Sequence, residues 1–256
     1  MRCIDGDFGY ASECKEKTFS LGNSYGVEFC RALAGFVREG KVGFMVQCAH
    51  YGKLLERRFG EGTEIRNIGL WTADWDEMWE SRPFVGSQDR SPDGFDVVFH
   101  GQDVPAKGAD WARELAKECD EYSFFFPMEK KPGEKTGPGA NFVDMEWDTG
   151  LKEMVKSARL VLVPSLWSAP IESALIKSLW YGKNVAVVEN KTSFSNDIPD
   201  DIVLKLPLDI KQAAFRLREY FEGRWVLDDE KKSKWLEGFL EGNRGLLDRI
   251  LKATLK

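Results

Sequence analysis

Short apolar runs alternate with amphipathic segments along the whole chain, which is the pattern of an α/β protein built on parallel strands. The helical segments have apolar residues three and four positions apart, and the strand segments are nearly continuous apolar runs. In the N-terminal part the pattern predicts a strand at 2–8, a helix at 24–40, a strand at 41–48, a helix at 50–59 and a strand at 64–70. Together these elements form a βαβαβ unit.

The alternation is sharper in the C-terminal part of the chain. Strands are predicted at 96–100, 122–127, 141–145, 159–164, 184–189 and 202–206, and helices at 109–121, 149–158, 170–181, 209–222 and 229–251. Residues 71–95 are predicted to be irregular, and the polar segment SQDRSPDG within them is the expected linker. The pattern therefore predicts domains at 1–90 and 91–225. A C-terminal helix at 226–256 follows, with an apolar stripe that would pack back on the first domain.

Composition and charge argue against several classes of protein. A net charge of −6 is unfavourable for binding nucleic acid through a broad basic face. The five cysteines are scattered and form no C-x-x-C pair, so neither a disulfide framework nor a zinc site is expected. At the N-terminus a charged residue comes before any apolar run, which argues against a signal peptide. No run approaches the roughly 20 apolar residues that span a bilayer. We expect a cytoplasmic protein without a transmembrane segment.

The segment at 159–189 is the most informative part of the sequence. Its apolar strand ends at Pro164-Ser165, and Pro170 stands where a helix would begin, which is a favoured position for proline. Open α/β sheets bind ligands at the carboxyl ends of their strands. A helix start adds free N–H groups and a partial positive charge of about half a unit, which suits a diphosphate. An ordinary βαβ unit without a ligand has the same pattern.

Two motifs in this part of the chain resemble those of the retaining GT-B glycosyltransferases. The family signature reads approximately P-S-x-x-E-P-F-G-L-x-x-L-E-A-x-A-x-G-x-P-V-V, and this chain keeps Pro164-Ser165, the Pro170 turn, Gly182 and the apolar strand at 185–187. The run VVFHGQDVPAKG at 97–108 is similar to the family's V-x-F-x-G-R-x-x-x-x-K-G motif. The resemblance covers 95–222. It implies a GT-B-like α/β fold, with two Rossmann-like parallel-sheet domains facing a cleft and an abbreviated N-terminal, acceptor-side domain.

The resemblance also implies a function: transfer of a hexose-type sugar from a nucleoside diphosphate donor to a hydroxyl acceptor, which could be a carbohydrate, lipid-linked or other molecule. No metal or other cofactor is expected, although the D-x-D pairs Asp5/Asp7 and Asp74/Asp76 would suit the metal-dependent class of glycosyltransferases. The candidate catalytic residues are Lys107, Lys177 and His50. The candidate substrate-binding residues are Gly22, Gly26, Gly101, Gln102, Val143, Asp144, Ser165, Trp167, Pro170, Glu172, Ser173 and Ala174.

These candidates come from four places in the sequence. Gly22 and Gly26 belong to the run SLGNSYGVE, which resembles the glycine-rich loop of GT-B acceptor domains and would let backbone amides approach a ligand. His50 follows a predicted strand and would face the cleft. Asn141 to Asp144 fall where the family contacts the base. The remaining candidates belong to the two motifs.

The chain departs from the family motif at several charged positions. Ala169 and Lys177 stand in place of two glutamates, and Gln102 in place of a phosphate-binding arginine. Lys107 is the charged residue that is kept, and it would bind the diphosphate from an exposed position; the alternative is that it is a solvated residue before the helix at 109. Lys177 is either an exposed helix lysine or a replacement positive charge in the pocket. Losing several charged contacts would weaken donor binding, so a degenerate module that binds without turnover is the alternative function.

Two further side chains have simpler interpretations. Glu172 replaces the glycine of the family's E-P-F-G and lies in the first predicted helical turn, where a carboxylate would complement the helix dipole. His100 lies within a predicted strand beside the sheet core, and we expect it to be structural.

Overall fold

The computed structural model describes residues 26–47, 49–70, 75–81, 94–133, 135–166, 171–189, 194–244, 246 and 252. In the N-terminal part the elements are α1 (Gly26–Arg38), β1 (Phe44–Val46), α2 (Ala49–Phe59), β2 (Ile65–Asn67) and α3 (Trp75–Glu80). Strands β1 and β2 pair in parallel, and α1 and α2 pack on them through a small core of Val37, Phe44, Val46 and Leu55. The strand predicted at 2–8 lies outside the described residues.

The C-terminal part contains six strands and five helices among its described residues. They are β3 (Val97–Phe99), α4 (Ala109–Glu118), β4 (Phe124–Phe126), β5 (Ala140–Phe142), α5 (Leu151–Ser157), β6 (Leu160–Val163), α6 (Ser173–Tyr181), β7 (Val185–Val188), β8 (Leu204–Leu206), α7 (Ile210–Phe221) and α8 (Asp229–Asn243). Short 3₁₀ turns at Pro105–Lys107, Trp147–Thr149 and Phe194–Asn196 connect some of them.

All neighbouring strands of the larger sheet run parallel, in the order β5-β4-β3-β6-β7-β8. This is the doubly wound order, in which the chain starts at the centre and builds outward in both directions. The reversal point lies between β3 and β6. The predicted α/β fold with parallel sheets is therefore confirmed.

Two apolar cores cover the faces of this sheet. Alternate strand residues such as Val98 and Val161 pack against α5, α6 and α8, while Phe99 and Leu162 pack against α4 and α7. Because both faces are covered, the central strands β3 and β6 are buried at every position. That burial explains why the strands read as continuous apolar runs rather than as alternating patterns.

The structure corrects two details of the predicted elements. Helix α3 lies within 71–95, which was predicted to be irregular. Trp75 and Met78, three positions apart, are buried on one face of this short helix. Helix α6 begins at Ser173 rather than at residue 170. One or two helical turns contain too few residues for a periodic signal, which also explains why the 3₁₀ turns were missed.

Helix α8 contacts the N-terminal part through a side-chain amide. Asn243 Oδ1 accepts a hydrogen bond of 2.9 Å from the backbone N–H of Leu70. Gly69, with φ of +68°, allows this approach, because a Cβ at that position would overlap the Asn243 amide. The division of the chain into domains at residues 90 and 225 stays a prediction.

Candidate functional site

Two loops meet at the reversal point of the large sheet, one following β3 and the other following β6. The backbone N–H of Leu166 donates a 2.9 Å hydrogen bond to the carbonyl of Ala106, which ties the loops together. Gly108 has φ of +74°, and a Cβ there would lie 2.5 Å from the carbonyl oxygen of Pro164. Only glycine fits this position without strain. The loop geometry therefore depends on close backbone contact between segments far apart in sequence.

An ion pair lies between these loops. Lys107 Nζ donates to Glu172 Oε1 at 2.5 Å, and Ser165 Oγ donates to Glu172 Oε2 at 2.9 Å. The side chain of Glu172 is only 10% exposed and that of Lys107 22%. The structure thus brings together three predicted site residues: Lys107, Ser165 and Glu172.

The contacts of Glu172 differ from the helix-dipole role that the sequence predicts. It is the N-cap residue of α6, but its side chain makes no capping hydrogen bond and instead binds Lys107 and Ser165. Lys107 is correspondingly not the exposed lysine that the sequence suggested. An anion that binds Lys107 must therefore compete with a carboxylate that already lies on the ammonium group.

A second cluster surrounds Trp147, which the sequence did not single out. Its ring stacks on His100, with centroids 5.1 Å apart and planes inclined by 7°, and the Lys177 ammonium lies 4.5 Å from its centroid. Lys177 is half-buried, so it is not a solvent-exposed helix lysine. The sequence shows a tryptophan shortly after β5. Its contacts with His100 and Lys177, which are distant in sequence, follow only from the fold.

His100 is held in one orientation by a serine of α6. Its Nδ1 lies 2.8 Å from Ser178 Oγ, and that hydroxyl donates to the carbonyl of Ala174 at 2.7 Å. Because a serine hydroxyl has one proton to donate, the His100 Nδ1–H must donate to Ser178. The ring is buried and hydrogen-bonded, as befits a side chain that holds β3 against α6.

The loop after β3 is also anchored on its other side. Asp103 forms a 2.7 Å ion pair with the buried guanidinium of Arg113 on α4. The hydrogen bond from Arg113 lowers the pKa of the Asp103 carboxyl below its ordinary value of 3.8, while partial burial opposes the shift. This pair was not among the predicted site residues, and it fixes the path of the chain on the way to Lys107.

The other candidates lie in several places. Val143 and Asp144 are exposed just after β5, at the same carboxyl edge of the sheet as Lys107. Gly101 packs beside the Phe99 ring, and Gln102 is exposed. Ser173 and Ala174 form the first turn of α6, Gly26 begins α1, and His50 lies in the first turn of α2. Gly22, Trp167 and Pro170 lie outside the described residues.

The described part of the chain contains neither a cluster of metal ligands nor a membrane-spanning helix. No group of three or more His, Cys, Asp or Glu residues is placed there to hold a metal ion, while Asp5, Asp7 and Asp74 lie outside that part. Over the same residues, none of the helices has the length and apolar character needed to cross a bilayer.

Comparison with known proteins finds matches among solved structures. No protein-family model matches the chain, and no curated protein does. The structure of TarM matches with a TM-score of 0.58 and 15% identity, over 88% of this chain and 45% of that one. Sucrose-phosphate synthase (tll1590) from Thermosynechococcus elongatus has the same TM-score and identity, over 89% and 62%. The GtfA/B complex gives 0.56 and 13%, over 90% and 48%.

These likenesses concern the fold. The chain spans about half to three fifths of the length of the structures it matches, 45%, 62% and 48% respectively. At such low sequence identity they show a shared α/β architecture of the GT-B type.

Proposed function

We propose that the chain binds a nucleoside diphosphate sugar and transfers its sugar to a hydroxyl acceptor. One observation carries the proposal: a lysine, Lys107, lies at the reversal point of a doubly wound sheet, beside the N-terminus of α6. Ligands of such sheets bind outside the carboxyl ends of the strands at this point. The fold likeness to sucrose-phosphate synthase supports sugar transfer as the reaction class.

The chemistry of this site is stabilisation of a leaving diphosphate. As the acceptor oxygen bonds to the anomeric carbon, the bond from that carbon to the diphosphate oxygen breaks and its electron pair stays on the diphosphate. The proton of the acceptor hydroxyl passes to the departing diphosphate. The ammonium of Lys107 and the first N–H groups of α6, at Ser173 and Ala174, would offset the negative charge that develops. This arrangement needs no divalent ion, so we expect donor binding to persist in EDTA.

The remaining candidates have supporting roles in this proposal. Val143 and Asp144, which follow β5 at the same sheet edge, would contact the base. Lys177 would supply a second positive charge by moving away from the Trp147 ring, whose centroid lies 4.5 Å from its ammonium group. His50, in the first turn of α2, stays a candidate catalytic residue.

Binding without turnover is the second candidate function, and the Lys107–Glu172 pair favours it. The Glu172 carboxylate is already bound to the Lys107 ammonium group, which would otherwise bind the diphosphate. A protein that keeps its anion site internally neutralised binds donor weakly and offers less stabilisation to the leaving group. Measured turnover of a bound nucleotide sugar decides between the two functions.

The test must separate binding from folding. Lys107→Ala alone would take the Lys107 ammonium away from Glu172, which is 10% exposed, and would therefore also destabilise the fold. The test is therefore to compare Glu172→Gln with the double variant Lys107→Met/Glu172→Gln by calorimetric titration with UDP, GDP and ADP. Loss of a charge-assisted contact of about 1.5–3 kcal/mol should weaken nucleotide binding about tenfold or more in the double variant.

Lys117→Met in the same background is the matched control. Lys117 forms an exposed 2.6 Å pair with Glu114 on α4, so its removal changes the net charge equally without touching the site. Equal nucleotide affinity in the Lys107 and Lys117 variants would refute the assignment of Lys107.

A further inference from the structure

Helix α7 carries exposed apolar side chains on the side that faces away from the large sheet. Leu217 and Tyr220 of this helix belong to the core on the sheet side. On the outer side the Phe215 ring is 60% exposed, and just beyond the end of the helix Trp225 is 40% and Val226 80% exposed. Large apolar side chains that are exposed together mark a surface at which another protein or a membrane binds.

The three exposed side chains form one patch. After α7 the chain turns back, so that the Trp225 ring lies against the helix. Its centroid is 5.4 Å from the Arg216 guanidinium, and its Nε1 donates to Glu219 Oε2 at 3.5 Å. Phe215 directly precedes Arg216 and lies on the same helix face as Glu219, four positions later. We call Phe215, Trp225 and Val226 the α7 patch.

The charges around the α7 patch do not favour an anionic partner. The arginines of α7 and of the turn after it all form ion pairs: Arg216 with Glu189, Arg218 with Glu121, and Arg224 with Glu219 and Glu222. A lipid headgroup or a nucleic-acid phosphate therefore meets little excess positive charge at this surface. Lys211, in the first turn of α7, is exposed, and its ammonium forms no ion pair with another described residue. A fitting partner thus offers apolar side chains and a carboxylate for Lys211.

The outer face of α7 is complementary to a second copy of itself. Lys211, Phe215 and Glu219 follow one another at intervals of four residues and so lie in one row along the helix. When two α7 helices pack antiparallel about a two-fold axis at Phe215, the two rings meet, and Lys211 of each copy lies opposite Glu219 of the other. In a parallel pair Lys211 would instead lie opposite Lys211. The charges therefore favour the antiparallel arrangement.

We infer that the α7 patch binds a second copy of this chain, with the two α7 helices antiparallel about a two-fold axis at Phe215. Trp225 and Val226 of each copy would cover the first turn of the other copy's helix. One helix of 12 residues and one turn per copy bury less than the roughly 1,200 Å² of stable interfaces, so we expect a weak dimer with a dissociation constant of roughly 10–200 μM. Helices α6 and α8 lie on the opposite face of the large sheet, and the inference does not rest on the proposed function.

Sedimentation equilibrium of the full chain tests the inference, over roughly 5–300 μM protein, a range that brackets the expected dissociation constant. Phe215→Gln removes the central ring and introduces a good helix former, so the variant should fold. Phe36→Gln is the matched control, because Phe36 is 47% exposed on another helix, α1, outside the patch. Lys211→Glu reverses one charge of the row, and Lys211→Glu/Glu219→Lys exchanges both charges. Thermal melting followed by circular dichroism reports whether each variant is folded.

We expect wild type and Phe36→Gln to dimerise equally, and Phe215→Gln to weaken the dimer by about tenfold or more, because a symmetric interface loses two rings. Lys211→Glu should weaken it about fivefold, since two attractive pairs become repulsive, and the charge exchange should restore the constant to within about threefold of wild type. A wild type that stays monomeric throughout the range, or a folded Phe215→Gln that dimerises as wild type does, overturns the inference. If Phe215→Gln weakens the dimer but the exchanged charges do not restore it, the antiparallel arrangement is wrong.

Discussion

Replacing Glu172 with glutamine should strengthen the binding of nucleoside diphosphates. Glutamine has the same shape and can still accept a hydrogen bond from Lys107, but it removes the negative charge that lies 2.5 Å from the ammonium. In the native protein a diphosphate must either displace this carboxylate or bind beside it. In the variant the repulsion is absent, and displacement breaks only a hydrogen bond to a neutral amide.

The expected gain follows from Coulomb's law. A phosphate bound to Lys107 would lie roughly 6 Å from the Glu172 carboxylate, and two unit charges at that distance repel by about 3 kcal/mol at an effective dielectric constant of about 20. Lys107 is 22% exposed and Glu172 10%, so solvent and salt reduce this repulsion to on the order of 1–2 kcal/mol. Nucleotide affinity should therefore rise about 5- to 30-fold.

The assay is calorimetric titration of UDP, GDP and ADP at fixed ionic strength, repeated at a higher salt concentration, where the gain should shrink. Glu114→Gln is the matched control, since Glu114 pairs with Lys117 on α4 in an exposed 2.6 Å ion pair. Glu172→Gln should cost about 1 kcal/mol of stability, because Lys107 loses a charged partner. Weaker or unchanged nucleotide binding in Glu172→Gln, in a folded protein, would refute the view that this carboxylate competes for the anion site.

Two further predictions concern the loop that positions Lys107. Gly108→Ala should lower the free energy of unfolding by about 2 kcal/mol or more, because it adds a Cβ 2.5 Å from the Pro164 carbonyl at a φ of +74°. Denaturant unfolding measures this change. Gly35→Ala is the control, because Gly35 does not have a positive φ and an added Cβ there meets no atom within 4 Å. Asp103 has a lowered pKa because of Arg113, so its contribution to stability is present above about pH 4 and is lost as the pH falls through the folded value, below 3.8. Acid titration of stability should therefore be less steep below about pH 4 in Asp103→Asn than in wild type, and parallel curves would contradict this.

Much of the fold could be predicted from the order of residues. The strands at 97–99 and 160–163 are buried on both faces, so they appear in the sequence as unbroken apolar runs. The helix at 210–221 has its apolar face against the sheet and appears as a periodic pattern. Local physics determines these signals. The same signals place the candidate site at the loop after Pro164, since a parallel strand followed by a helix has one end at which ligands are expected to bind.

The electrostatic state of that site was decided by tertiary structure. Lys107 and Glu172 are 65 positions apart and meet because β3 and β6 are neighbours at the centre of the sheet. Local patterns of apolar residues specify that strands exist, but not which strands pair. A lysine that looked exposed is therefore paired, and a carboxylate that looked like a helix-dipole partner is its counter-ion.

A cavity of about 330 Å³ beside α8 shows the same division. Its wall residues Gln47, Ile171 and Trp235 belong to segments that are distant in the chain and carry no shared motif. The sequence by itself determined the elements, their buried faces and the end of the sheet at which a ligand would bind. Strand order and the packing of α8 decided which side chains meet there, because those contacts depend on the pairing of distant segments and not on the composition of any one of them.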